Sequence, residues 1–196
     1  MKPVQFREIL SACGGTYYGD AALLDTVPTD IVIDSRVATL GSLYIPIVGE
    51  RFDGHEFIKN AREKGSVLVL SAKPLESEPY ILVEDTLRAL HAIASWYRDL
   101  FPIPVVGLTG SVGKTSTKEM IASVLSARYN VMKTIGNKNN ETGVPLTLFT
   151  LDESHEVAVV EMGTNHFGEI GRLAAMAKPQ LAAWLGKGLG PAGKVG

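Results

Sequence analysis

The sequence predicts an α/β protein in two parts: a small N-terminal α/β unit, then a second unit with a mainly parallel sheet. Three observations carry this. Short apolar runs rich in Val and Ile alternate with stretches of helical periodicity, the pattern of strand–helix–strand crossovers. The pattern changes at Asp85, where a long amphipathic helix begins. A glycine-rich turn, Gly107 to Thr117, follows an apolar β-branched run and opens onto another helical stretch.

Within residues 1–84, residues 4–13 read as a helix stopped by Gly14 and Gly15. Residues 31–36 start as a strand and end in Asp34, Ser35 and Arg36. Residues 43–48 are a second strand, with Pro46 arguing for an edge or an irregularity. Residues 55–63 are helical, closed by Gly65, and 66–70 and 80–83 are two further strands across a proline-containing turn.

The second part, 85–196, starts with a helix over 86–101 carrying Leu87, Leu90, Ile93, Ala94, Tyr97 and Leu100, with Asp85 as N-cap. Residues 101–106 read as a buried strand into the glycine turn. Met120, Ile121, Val124, Leu125 and Tyr129 mark the apolar face of the next helix. A short strand over 131–135, a polar loop over 136–143, an apolar stretch over 144–151 and a buried strand over 156–161 follow. A helix over 169–177 and a strand over 181–185 close the pattern.

Gly110 and Gly113 permit positive φ and close approach of backbone to an anion. Successive N–H groups then share one concavity at a helix N-terminus, the design of a P-loop. Gly110, Ser111, Val112, Gly113, Lys114, Thr115 and Ser116 are the expected phosphate cradle for ATP. Lys114 reaches the outer phosphates and the Thr115 hydroxyl sits on Mg²⁺. Leu108 stands where the usual pattern has glycine, which leaves a tighter Gly-x-x-Gly-Lys-Thr. An ordinary glycine turn with a solvated lysine is the bland alternative.

Glu161 ends a buried strand at the edge where open α/β sheets place ligands, and can complete the Mg²⁺ shell that Thr115 begins. A strand-end glutamate meeting solvent is the other reading. Asn137, Asn139 and Asn140 are explained equally by turn formation and by ligand contact. Asp34, Ser35 and Arg36 suit a nucleoside or diphosphate, and an internal salt bridge explains them equally. His55 and His91 read as packing or capping residues, and His155 and His166 have no metal-ligand spacing.

The chain of 196 residues is 45% hydrophobic, enough for a packed core. A net charge of −2 and scattered basic residues give no case for a nucleic-acid surface. Cys13 is the single cysteine, so no intrachain disulfide or thiolate cage can form, and it reads as a small buried hydrophobe. No signal core or membrane-length apolar run is present, which makes the cytoplasm the expected compartment.

Four segments resemble the Mur ligases of bacterial peptidoglycan synthesis: Asp34–Arg36 with Gly41–His55, Thr109–Lys118, Asn137–Leu146 and Glu161–Gly163. The family shares the short Gly-x-x-Gly spacing, and the asparagine loop is similar to that of its last-step member. The resemblance implies a monomeric ligase. ATP phosphorylates the terminal carboxylate of a UDP-N-acetylmuramoyl tripeptide, and the amine of D-alanyl-D-alanine attacks the acyl phosphate. It implies Lys114 and Glu161 as catalytic, Thr115 and Glu161 on Mg²⁺, and Asp34, Ser35 and Arg36 on the UDP-sugar. Asn139 and Asn140 would lie near the muramoyl portion or the phosphates. After Pro179 the family reaches a histidine-bearing stretch and a C-terminal domain, whereas this chain runs into the glycine-rich residues 186–196. A truncated copy without turnover of its own is therefore expected. The other readings are a non-catalytic fragment binding nucleotide or UDP-sugar, the related ligase that adds the third stem residue, and a folate-type polyglutamate ligase.

Overall fold

The computed structural model describes residues 2–49, 52–163 and 168–186. The first part opens with helix α1 (Phe6–Cys13), which ends at Gly14 in the left-handed conformation, its N–H bonded to Leu10 O. Strand β1 (Thr16–Tyr18) follows, then β2 (Ile31–Val32), β3 (Leu43–Tyr44), helix α2 (Ile58–Glu63), β4 (Leu68–Ser71) and β5 (Tyr80–Leu82). The sheet order is β1-β5-β4-β3-β2, parallel except for the antiparallel β1–β5 pair.

Helix α3 (Thr86–Asp99) begins with Asp85 accepting from the N–H groups of Leu87 and Arg88 at 2.8 and 3.0 Å. The chain continues through β6 (Val105–Gly110), α4 (Lys114–Leu125), β7 (Val131–Lys133), α5 (Gly143–Leu148), β8 (Val157–Glu161), α6 (Glu169–Ala177) and β9 (Leu181–Leu185). These strands form an all-parallel sheet in the order β7-β8-β6-β9. The mixed α/β class and mainly parallel sheets are as the sequence predicts. No helix among the described residues is long and apolar enough to cross a membrane.

Several elements differ from expectation. Strand β1 and the 3-10 turn Ala21–Asp25 carry no apolar alternation and were not foreseen. Residues 101–104 are not strand: Pro102 and Pro104 flank a connector, and pairing starts at Val105. Strand β3 stops at Tyr44 and lies inside the sheet, with Pro46 beyond its end. The expected helix over 55–63 divides into a 3-10 turn at Gly54–Phe57 and the short α2. The apolar face expected of α4 holds for Ile121 and Leu125 but not for Met120, Val124 or Tyr129. Lys118 and Ala122 are buried, with Ile121 and Leu125 against the sheet, whereas Met120 and Val124 are 62% and 74% exposed. Adjacent apolar rows differ by one helical step, and the sheet below selects between them. Cys13 is only half-buried, its thiol donating to Leu10 O, and burial pushes its pKa up.

One apolar core runs through both sheets. Ile9, Leu43, Leu70 and Ile81 share one cluster with Leu90, Ile93 and Tyr97 of α3 and with Leu148, Phe149, Leu173 and Met176. Helix α3 packs on α1 at one side and on α5 and α6 at the other.

Candidate functional site

Parallel pairing of β6 and β8 sets Leu108 opposite Glu161, so the glycine turn and the carboxylate emerge at the same sheet edge. Strand β8 is buried along its whole length, which carries Glu161 to 1% exposure. The turn itself depends on two glycines. Gly110 has φ 142°, and a Cβ there would lie 1.7 Å from Leu185 O. Gly113, at φ 78°, occupies the N-cap of α4 in the left-handed region. The Ser111 N–H bonds to Leu185 O at 2.9 Å, tying the turn to β9.

Side chains converge on the Glu161 carboxylate from α4 and from the asparagine loop. The Thr115 hydroxyl, in the first turn of α4, donates to Oε2 at 3.1 Å and lies 3.4 Å from Oε1. Asn139 Nδ2 donates to Oε1 at 2.8 Å. Lys118, one helical turn after Lys114 and also 1% exposed, brings Nζ to 3.8 Å from Oε2 and 3.2 Å from Glu119 Oε1. The Glu161 N–H donates to the Thr134 hydroxyl at 3.0 Å, fixing the strand end. Lys114 Nζ donates to Gly110 O at 2.6 Å, closing the turn on itself.

Ser111, Val112, Gly113, Lys114, Thr115, Ser116, Asn137, Asn139 and Glu161 line one cavity of about 290 Å³. Of the expected phosphate cradle and metal pair, every member but Gly110 lines it, and Gly110 shapes it from below. Its donors are backbone N–H groups at a helix N-terminus, an ammonium and a hydroxyl, a set complementary to an anion. Among the described residues no group of three or more His, Cys, Asp or Glu side chains could hold a metal. The side-chain oxygens of Thr115 and Glu161 are the donor types suited to a hard cation.

Asn140 is not part of this convergence. Its Oδ1 accepts from Gly143 N at 2.8 Å and Thr142 Oγ1 at 3.2 Å, capping the turn into α5. Lys118 and Thr134 are the residues that sequence reasoning missed. The available signal for Lys118 was its i+4 spacing from Lys114, which puts both on one helical face.

Asp34, Ser35 and Arg36 lie at a separate cavity of about 530 Å³ with Ile33, Tyr44, Phe52, Gly54 and Phe57. Asp34 caps a 3-10 turn by accepting from Arg36 N, and the Arg36 guanidinium returns to the same carboxylate at 2.7–3.1 Å. That guanidinium, more than the backbone bond, holds the Asp34 carboxyl below the usual carboxylate range. The internal salt bridge is thus present, and the Arg36 side chain remains 83% exposed at the cavity. The Tyr44 hydroxyl donates to Gly54 O at 2.9 Å beneath the apolar wall, and burial pushes its pKa up to about 12.

The histidines are structural where described. Ala72 N donates to His55 Nε2 at 3.0 Å, so Nδ1 carries the proton and donates to Asp53 Oδ1. His91 Nε2 lies 2.7 Å from Glu141 O, and His155 pairs with Asp152. His166 and the glycine-rich residues 187–196 lie outside the described residues.

Comparison with known proteins matches both parts. Residues 29–98 match the Mur ligase family catalytic domain, and residues 108–186 the Mur ligase middle domain. The UDP-N-acetylmuramoyl-tripeptide--D-alanyl-D-alanine ligase of Escherichia coli K12 is 40% identical over 93% of this chain and 40% of its own length. That of a Synechocystis strain is 47% identical over 78% and 34%. A crystal structure of MurF from Acinetobacter baumannii superposes with a TM-score of 0.88 at 34% identity, over 94% of this chain and 40% of that one. The MurF ligase of Thermotoga maritima in complex with ADP gives 0.74 at 35%, over 80% and 37%. The chain therefore spans about 40% of the length of such relatives. With both of its parts matched to one family, the chain belongs to the Mur ligases.

Proposed function

We propose that this chain carries the nucleotide-phosphate and UDP-sugar sites of an ATP-dependent ligase that joins D-alanyl-D-alanine to a UDP-N-acetylmuramoyl tripeptide. Residues 1–84 take the UDP-sugar and residues 85–196 take ATP. The observation that supports this most is the Thr115–Glu161 contact at 3.1 Å beside the N–H groups of the glycine turn. The relatives with that printed activity are 35–47% identical. The neighbour described as the 2,6-diaminopimelate ligase is 16% identical and speaks for the fold alone.

In this reading the turn N–H groups and Lys114 bind the triphosphate and balance charge on the transferring group. A substrate carboxylate oxygen attacks the γ-phosphorus as the bond to ADP breaks. The dipeptide amine then attacks the acyl carbon, phosphate leaves with the bonding electrons, and the amine gives up its proton. Thr115 and Glu161 hold Mg²⁺, which supplies further neutralisation of the phosphates. Asn139 keeps Glu161 aimed at the cavity, while Asp34, Ser35 and Arg36 hold the UDP end.

Calorimetric titration of ATP into the chain tests the site. Lys114→Ala should weaken binding about tenfold or more. Equal affinity in the two proteins would overturn the assignment.

A further inference from the structure

Among the described residues Lys118 is the one fully buried ammonium that the proposed chemistry leaves without a task. Its Nζ lies between Glu119 Oε1 at 3.2 Å and Glu161 Oε2 at 3.8 Å, and Glu119 Oε2 pairs in turn with Lys133. Buried charge is tolerated only when paired, so the position of Lys118 and that of the Glu161 carboxylate are mutually fixed. Both Glu161 oxygens already have partners: Asn139 and Thr115 on Oε1, Thr115 and Lys118 on Oε2.

Three ammonium groups, Lys114, Lys118 and Lys133, accompany two carboxylates, Glu119 and Glu161, an excess of one positive charge. A free divalent cation approaching Glu161 meets that excess and, from Glu161 and Thr115, three side-chain oxygens already engaged with one another. Nucleotide phosphates reverse the sign of the local charge and contribute the missing oxygens.

We propose that Lys118 is a positioning residue that holds a cation's place beside Glu161, so that divalent metal enters only together with nucleotide phosphate. The inference rests on the phosphate-site reading above. Lys118 neutralises the carboxylate before ligands arrive, keeps it aimed across the turn, and makes metal uptake conditional on the nucleotide.

The test measures Mn²⁺ binding to the whole chain by electron paramagnetic resonance, with and without ADP. In the unaltered protein ADP should tighten Mn²⁺ binding by about tenfold or more. Lys118→Met keeps the stem and removes the charge. It should raise ADP-independent Mn²⁺ affinity by about tenfold, whereas Lys118→Arg should behave as the parent. Equal Mn²⁺ affinity with and without ADP in the parent overturns the proposal, as does a folded Lys118→Met with unchanged ADP-independent affinity. Glu119→Gln, at an exposed position, leaves Lys118 wholly to Glu161 and should widen the ADP dependence; no widening counts against the proposal even if Lys118→Met fails to fold. Failure of ADP to bind the parent at all would instead defeat the phosphate-site reading, and the ADP-independent comparison would still report on Lys118.

Discussion

The α-carbon of Gly110 faces the carbonyl of Leu185 so closely that a Cβ would stand 1.7 Å from the oxygen. The end of β9 is thus packed against the glycine turn, and the Ser111 N–H bond to the same carbonyl fastens it. Gly110→Ala meets both that clash and a φ of 142°. It should destabilise the protein by about 2 kcal/mol or more and abolish nucleotide binding. Thermal unfolding and ATP titration on one preparation check both.

Tyr97 is wholly buried, its hydroxyl donating to Leu151 O at 2.7 Å and accepting from Lys2 N. Tyr97→Phe leaves that carbonyl and that N–H without a partner and should cost about 1–3 kcal/mol in urea unfolding.

Burial pushes the Tyr97 and Tyr44 phenols up to about 12. Because the folded value is raised, their contribution to stability is complete below the ordinary tyrosine pKa of about 10 and is lost as pH climbs toward 12. Spectrophotometric titration should find Tyr44 and Tyr97 still un-ionised at about pH 11 until the chain unfolds. In Tyr97→Phe the late-ionising absorbance should fall by one tyrosine equivalent.

Asp53 gives the opposite sign. The His55 backbone N–H, then Lys73 and the His55 ring, hold its carboxyl well below the usual range. Its stabilising effect is present above about pH 4 and is lost as pH falls through the depressed folded value. Asp53→Asn keeps the cap on the turn at Gly54 but loses the charge, at a cost of about 1–3 kcal/mol at neutral pH. The two proteins should converge in stability on acidification. A gap that does not narrow at all between about pH 5 and pH 2 would contradict this.

Arg98 has no carboxylate partner among its described contacts. Its guanidinium donates to the carbonyls of Phe101, Ile103 and Ala177, binding the connector after α3 to the end of α6. Arg98→Met should lower stability by about 2–4 kcal/mol in denaturant unfolding.

The central glycine turn, the long helix after Asp85 and the buried strand ending in Glu161 were legible because each has a strong local signature. Glycines, a capping aspartate and a β-branched run leave few alternatives. Strand β1 was not legible, because Thr16, Tyr17 and Tyr18 have no alternation and exist as a strand only through pairing with Tyr80–Leu82. The same holds for Lys118: a lysine in a helix reads as solvated, and only the sheet below turns it inward against Glu161. Asn139 and Asn140 are neighbours of identical type, and nothing local distinguishes the one that reaches the carboxylate from the one that caps α5.

Helix α3 serves as a common keel. Ala89, Leu90, Ile93 and Tyr97 are pressed into a core that belongs to both sheets. A hinge at this joint would have to tear apolar surface open to water.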